Sequence, residues 1–483
     1  MKKNILLLGS GTSVPPLCAD LTRRGYHLTI ASRNLDTAQT LVSAGWGHKA
    51  LYLNLDGLPA SQQQLDQLVE TNDIVVSYTS GGCLPQIAET CLKYGKHLVT
   101  SSHQVYFDKT SDEHGNWHKR AQERGITILT EVGSDPGFGR MLGKRLIDRV
   151  RAEGGEIVDV WYHVAAIPAR SEINPFGYRF SWAPKKAIFT AINMRDYSGN
   201  WFRDYQEVQV PSSRVYRDAQ LVEVPGIGIF ETHPNADSGA HLYQQVYGLE
   251  SARTFYQGTL RFLGWSSALQ GLIDLGMHDA TPRPELKNQT WKQMMLGLLG
   301  VQEGNPQVLA AKHLGLSPSN ETILRYQWLG LFDDRPIDSA GPYSYCDLVS
   351  ELMVNRLGVF DPQGEAADQM IFFYDVLARF GDSYQRIRSV TNPRRQQGQF
   401  TVCSTLTSLT TAMCVRYLLE GHLEGTGLRR PMTADIYEKV LQEYEAMGIS
   451  ETQIRESVTG DCLRSESSNS RERDLSTPQL AKV

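Results

Sequence analysis

An α/β fold opening on a parallel, doubly wound sheet is predicted by three features. These are a glycine-punctuated turn, Leu7-Leu8-Gly9-Ser10-Gly11, behind the first apolar run, alternating strand-like and helix-like segments up to about residue 130, and a change of texture from about Ile157. Asn4–Leu8 reads as a short buried strand, Leu17, Leu21 and the stop at Arg24–Gly25 outline a helix, and Tyr26–Ala31 supplies the next strand. Gly9 and Gly11 let the backbone turn tightly against a pyrophosphate, and the helix behind them offers its N-terminal amides to that charge. The unit is thus an N-terminal Rossmann domain, although its third glycine position holds Val14, followed by Pro15 and Pro16. At the end of strand two a carboxylate would accept hydrogen bonds from an unphosphorylated ribose, whereas Ser32 and Arg33 suit a 2′-phosphate. NADP is therefore the expected cofactor. Gly9, Ser10, Gly11, Thr12 and Ser13 are placed at its phosphates and Ser32 and Arg33 at the 2′-phosphate, a solvated surface arginine being the alternative for Arg33.

The alternation continues with strands at Ala50–Leu55, Asp73–Tyr78, His97–Ser101 and Ile126–Thr130 and helices near Gln62–Glu70, Leu84–Tyr94 and Trp117–Arg124. Ligands bind at the carboxyl ends of such strands. That rule singles out Ser77, Tyr78 and Thr79 for the nicotinamide ribose, Ser101 and Ser102 where nicotinamide and substrate would meet, and the loop Glu131–Gly137. Beyond it, Ile157–Val164, Arg214–Val224 and Ile227–Thr232 read as strands of a mixed α+β region. Apolar residues at turn spacing between about Glu250 and Asp338 (Leu260–Leu263, Ala268–Leu275, Trp291–Leu299, Ile323–Leu331) predict helices. Gln369–Leu377 and Tyr384–Val390 predict a hairpin turning at Phe380-Gly381-Asp382, Leu406–Leu419 a helix packed as core, and the stretch from Arg464 a disordered tail.

With 483 residues, two or three domains are expected. Lysine plus arginine number 48 against 53 acids, so no net charge draws the chain to nucleic acid or anionic lipid, and small polar substrates are the expected partners. Cys18, Cys83, Cys91, Cys346, Cys403, Cys414 and Cys462 lack zinc-ligand spacing, and no metal is expected. The scattered thiols, a start without the layout of a signal peptide, and no apolar run near the ~18 residues of a membrane span predict a soluble, cytoplasmic protein.

Several segments together resemble the saccharopine reductase family of NADP-dependent, glutamate-forming saccharopine dehydrogenases. They are Leu7–Gly11, Lys96–Ser102, Glu131–Gly137, Asn174–Trp182, His233-Pro234-Asn235 with Asp237-Ser238, Gly258–Arg261 and Trp328–Phe332, in the family's order. The resemblance implies three parts: a Rossmann domain from 1–135 and 404–455, an α+β substrate and dimerisation domain from 136–250 and 345–403, and a small all-α insertion over 251–344, with 464–483 as tail. It further implies a homodimer that condenses an amino-acid amine with a semialdehyde and reduces the imine with NADPH, or the reverse. The chain departs from the family at Thr79–Cys83, at Phe138-Gly139-Arg140 in place of an aspartate-histidine pair, at Val164-Ala165-Ala166 in place of cysteine-glycine-glycine, and at Ala236, where an arginine that looks like a carboxylate ligand is expected. These departures point to an altered amine or carbonyl partner, with Arg140, Arg170, Arg179 or Arg261 as replacement cations or, equally, as surface ion-pair partners.

Imine reduction needs a positioned proton and an anion to stabilise the iminium. Asp135, between Gly133 and Gly137 at a strand end, is the first choice for that contact, its other reading being the N-cap of the following helix. His233, and also His163, could move protons at neutral pH or be hydrogen-bonded structure. Ser102, Tyr178, Asn235 and Arg261 complete the expected substrate contacts, with a packed core tyrosine as the other reading of Tyr178. Two rivals remain: a C–N bond-forming reductase of opine or polyamine type, and a catalytically silent NADP-binding protein.

Overall fold

The computed structural model describes residues 3–182, 184, 188, 191–192, 199–234, 240–361, 366–395 and 398–458. The expected tail at 464–483 and the substrate contact expected of Asn235 lie outside the described residues, as does Ala236. The chain forms two sheets. Strands β1 (Asn4–Leu8), β2 (His27–Ser32), β3 (Lys49–Tyr52), β4 (Ile74–Ser77), β5 (His97–Thr100) and β6 (Thr127–Leu129) alternate with helices α1 (Pro15–Arg23), α2 (Leu35–Ser43), α3 (Pro59–Glu70), α4 (Leu84–Tyr94), the one-turn α5 (Val105–Asp108) and α6 (Ser111–His114), and α7 (Trp117–Glu123). Their strands pair in parallel, and every side chain of Ile5–Leu8 and Ile74–Ser77 is buried because helices cover both faces.

The second half begins with α8 (Phe138–Ala152) and the long β7 (Glu156–Pro168), then β8 (Gly199–Arg203), β9 (Gln206–Val210), β10 (Gln220–Val224), β11 (Gly228–Pro234), α9 (Ala240–Val246) and β12 (Thr254–Arg261). Helices α10 (Trp265–Asp274), α11 (Trp291–Leu298), α12 (Pro306–His313), α13 (Glu321–Leu329) and α14 (Tyr345–Leu357) follow. The hairpin β13 (Asp368–Phe380) and β14 (Ser383–Thr391) turns where expected and packs against β7. The chain closes with α15 (Val402–Leu419), β15 (Gly427–Arg429), α16 (Ala434–Ala446) and β16 (Thr452–Val458). The first sheet runs β15-β6-β5-β4-β1-β2-β3 and the second β10-β11-β12-β7-β13-β14-β16.

Four expectations are corrected. Leu260, expected in a helix, is a strand residue whose partner is Thr232, because β12 needs its apolar side chains to pack between β11 and β7. Only Gln220–Val224 of the stretch Arg214–Val224 is extended, since Arg217 N–H bonds the Arg214 carbonyl and closes a turn. Thr452–Val458 pairs with β14, so the last strand, expected with the Rossmann part up to 455, belongs to the second sheet. Finally, α15 does reach 18 residues with a composition apolar enough to cross a membrane, yet 72% of it is buried within the protein.

Candidate active site

The carboxyl edge of the first sheet faces the second sheet, and the loops of that edge hold most of the residues expected to bind ligands. Gly9 has φ +106, and a Cβ there would lie 2.8 Å from the Tyr78 carbonyl, so β1 and β4 can turn side by side only with glycine at 9. At Gly11 nothing lies within 4 Å of a built Cβ. That open space in front of α1 is where the phosphates of a dinucleotide fit.

Ser10 Oγ donates to Ser32 Oγ at 2.8 Å and also contacts the Thr37 hydroxyl, while Asn34 caps α2 by accepting from Thr37 N–H at 3.2 Å. Arg33 beside this hydroxyl cluster is exposed. Ser10, Ser32, Arg33 and the unforeseen Thr37 would hold the 2′-phosphate of NADP. Ser77 is a correction: its side chain is fully buried, its hydroxyl is 2.9 Å from that of Thr79, and it cannot reach a ribose. Tyr78 lines the edge with main chain only, because its hydroxyl donates to Thr411 at 2.8 Å.

The loop after β6 folds tightly on itself. Gly133 N–H bonds the Pro136 carbonyl, and a Cβ on Gly137, φ +140, would lie 2.1 Å from the Gly133 carbonyl oxygen. Ser101 packs 3.3 Å from where a Gly133 Cβ would sit, and Ser102 accepts from Glu131 N–H, so the β5 and β6 loops form one wall. Asp135 is not the N-cap of α8; that position is Gly137, with no side-chain cap. Instead its carboxylate forms a 3.0 Å ion pair with Arg140 and accepts from the Tyr162 hydroxyl at 3.2 Å. Asp135 is 12% exposed and Arg140 only 1%, so of the pair it is the carboxylate that reaches the surface. Burial alone would lower the Arg140 pKa, but the Asp135 carboxylate outweighs it and holds the guanidinium well above its usual value. The guanidinium is stacked between Tyr162 (4.6 Å) and Tyr243 (4.2 Å). Gly139 makes this possible, because a Cβ there would meet the Tyr162 hydroxyl at 2.4 Å. Arg140 is thereby removed from the candidate replacement cations.

Glu131 escaped the sequence reading. It is fully buried, has φ +59, and its carboxylate accepts from Gln104 N–H (3.0 Å), the Tyr243 hydroxyl (2.7 Å) and Arg430 Nε (3.1 Å). A left-handed glutamate is a strained conformation that only its surroundings maintain. Alternation and spacing carry no signal for such a group.

Across the crevice, Asn174 folds its loop by accepting from Phe176 and Tyr178 N–H groups and donating to the Tyr178 carbonyl at 2.6 Å. Tyr178 is 2% exposed and packs against Phe180 and Trp265, so it is a floor rather than a surface contact. Arg261 lies over it, 4.9 Å from the Tyr178 ring and 5.5 Å from that of Trp265. Its Nη1 donates to the Leu260 carbonyl, while its buried Nε has no partner among the described residues. The cross-strand acid, Glu231, is committed to the Gly264 and Ser266 amides of the α10 terminus. Arg179 also has a buried Nε without a partner among the described residues, whereas Arg170 is exposed. Between the two walls Cys403, at the start of α15, sits 3.8 Å from the Ser134 hydroxyl.

His233 and His163 are corrected as proton carriers. Burial, helped at His233 by the Arg261 charge, pushes both pKa values down to about 3, and His163 contacts the Thr232 hydroxyl at 3.1 Å. Both rings are neutral at pH 7 and unfit to donate protons there. Because their folded pKa lies below the unfolded value of 6.5, protons favour the unfolded chain as pH falls from 6.5 toward 3. Asp368, raised by burial to about 6 from 3.8, acts oppositely from pH 6 downward. These three groups alone are expected to remove about 2.5 kcal/mol of stability between pH 7 and pH 5, read as a falling urea midpoint. The His233→Gln variant is expected to lose about 2 kcal/mol less over the same interval.

A glycine-turn Rossmann unit packed against a second sheet defines a dinucleotide-binding protein of two domains. The family model for the saccharopine dehydrogenase NADP binding domain matches residues 5–129, and that for the saccharopine dehydrogenase C-terminal domain matches residues 133–449. The chain belongs to the saccharopine dehydrogenase family. Mouse mitochondrial alpha-aminoadipic semialdehyde synthase is 30% identical over 468 residues, covering 93% of this chain and 47% of its own; the chain thus spans about half the length of that relative. Saccharopine dehydrogenase [NADP(+), L-glutamate-forming] of Saccharomyces cerevisiae is 26% identical, covering 92% and 97%. The solved apo saccharopine dehydrogenase (L-Glu forming) from that yeast shares the fold, with TM-score 0.82, 22% identity, and 95% and 100% coverage.

Proposed function

We propose that the protein is an NADP(H)-dependent oxidoreductase of saccharopine reductase type, which forms or cleaves a secondary amine through an imine between an amino acid and a semialdehyde or keto acid. The observation that carries this reading is the Asp135 carboxylate, partly exposed in the loop after β6 and tied to the second domain through the Tyr162 hydroxyl. NADPH, when bound, supplies the hydride. The chain's own residues orient and exclude water. Asp135 accepts an N–H of the substrate amine and stabilises positive charge on nitrogen as it develops. Ser101 and Ser102 line the junction of the two binding regions. The names of the full-length yeast relative and of the mouse relative support the amine chemistry.

A related C–N bond-forming reductase with another amine and carbonyl is favoured by one observation. Gly81, in the divergent loop, leaves room for Tyr106, whose ring would lie 2.2 Å from a Cβ there, so this loop packs closely on α5. We further propose a cytoplasmic homodimer. Its six described cysteines are free, and a groove of about 410 Å³ on the outer face of the second sheet, lined by Trp161, Phe373, Arg386 and Arg388, suits a second copy.

The test follows NADPH absorbance with amino acids against semialdehydes and keto acids, and saccharopine with NADP+ in reverse. Turnover of saccharopine supports the first reading and turnover of another pair the second, while no consumption with any pair leaves a silent NADP-binding protein. In the same assay Arg33→Ala is expected to cost NADPH about tenfold more than NADH, and an equal loss for both would remove Arg33 from the 2′-phosphate.

A further inference from the structure

Helix α15 does more than fill the core. Ser404, Thr407, Ser408 and Thr411 lie on one face at helical spacing, and each hydroxyl is bound to a loop at the carboxyl edge of the first sheet. Ser404 donates to the Thr12 carbonyl at 3.0 Å, Ser408 to the Ser13 carbonyl, Thr407 to the Ser134 hydroxyl at 2.9 Å, and Thr411 to the Val132 carbonyl at 2.9 Å. Thr411 also accepts from Tyr78 of the β4 loop at 2.8 Å. One helix face therefore touches the loops after β1, β4 and β6.

A trans peptide carries its C=O and N–H on opposite sides. Drawing the Thr12 carbonyl toward α15 turns the Ser13 N–H to the side of the loop away from that helix. Ser408 does the same for the peptide between Ser13 and Val14, whose N–H closes on the Gly11 carbonyl at 3.0 Å. Small apolar residues would pack the same space without orienting either carbonyl, and would leave both acceptors without their side-chain donor.

We infer that Ser404 and Ser408, which hold the Thr12 and Ser13 carbonyls, are positioning residues that fix the backbone of the coenzyme loop. The inference rests on the NADP binding domain and not on the identity of the substrate.

NADPH and NADH titrations of the full chain by fluorescence test it. Ser404→Ala and Ser408→Ala should each weaken both coenzymes by the same factor, about five- to tenfold. Ser404→Thr, which keeps the hydroxyl, should bind as wild type, and Thr407→Val should stay within twofold of wild type. Wild-type affinity in both alanine variants overturns the inference, as does a loss in Thr407→Val equal to that in Ser408→Ala, because the effect would then report helix packing. Where a variant does not fold, hydrogen exchange of the wild-type chain decides. Saturating NADPH should slow the Ser13 amide at least tenfold, and an unchanged rate there overturns the assignment.

Discussion

Replacing Arg140 by methionine is expected to destabilise the protein by about 3–5 kcal/mol, the usual consequence of leaving a buried carboxylate without its partner. The size follows from geometry. Asp135 is only 12% exposed, Arg140 is 1% exposed, and the guanidinium fills the gap between Tyr162 and Tyr243. Methionine matches the volume but supplies neither charge nor a planar face. Water reaching Asp135 through the crevice places the loss toward the lower end of that range. Adding Asp135→Asn to Arg140→Met removes the stranded charge, so the double variant should recover most of the loss although it carries two substitutions. Urea unfolding of the four proteins measures the coupling. Independent, additive losses would show that the 3.0 Å pair contributes nothing to the fold.

Arg140 also marks where sequence reading stops. The Rossmann half was legible because its signals are local: apolar runs at Asn4–Leu8 and Asp73–Tyr78 lie within a residue or two of β1 and β4, and Gly9 turns where a glycine is required. The hairpin of β13 and β14 was legible for the same reason. Leu260 was misread because a short apolar run fits either period, and only its pairing with Thr232 decides. Within the site, Asp135 was found from its flanking glycines, but its partners Arg140 and Tyr162 are fixed by tertiary contact. Glu131 and the hydroxyl face of α15 are invisible for the same reason, since Ser404 and Thr12 are neighbours only after 392 residues of chain have folded back. His233 failed as a proton carrier because burial, which residue type does not reveal, sets its pKa.

Arg261→Met is expected to weaken a carboxylate-bearing substrate about a hundredfold while leaving NADPH affinity within twofold, the loss of a charge-assisted pair being about 3 kcal/mol. A partly buried guanidinium whose cross-strand acid is already committed to the α10 amides has no anion of its own among the described residues. Its contacts with Tyr178 and Trp265 hold the plane and do not neutralise the charge. An anionic ligand group would therefore complete the site, in a chain that has alanine at position 236 where the family has arginine. Lysine at 261 keeps the charge but not the two-pronged geometry, and should recover only part of the affinity. Calorimetric titration of glutarate or saccharopine into the NADP+ complex separates the outcomes. Equal affinity in wild type and Arg261→Met would move the carboxylate to Arg179, the other arginine on that wall with an unpartnered buried Nε among the described residues.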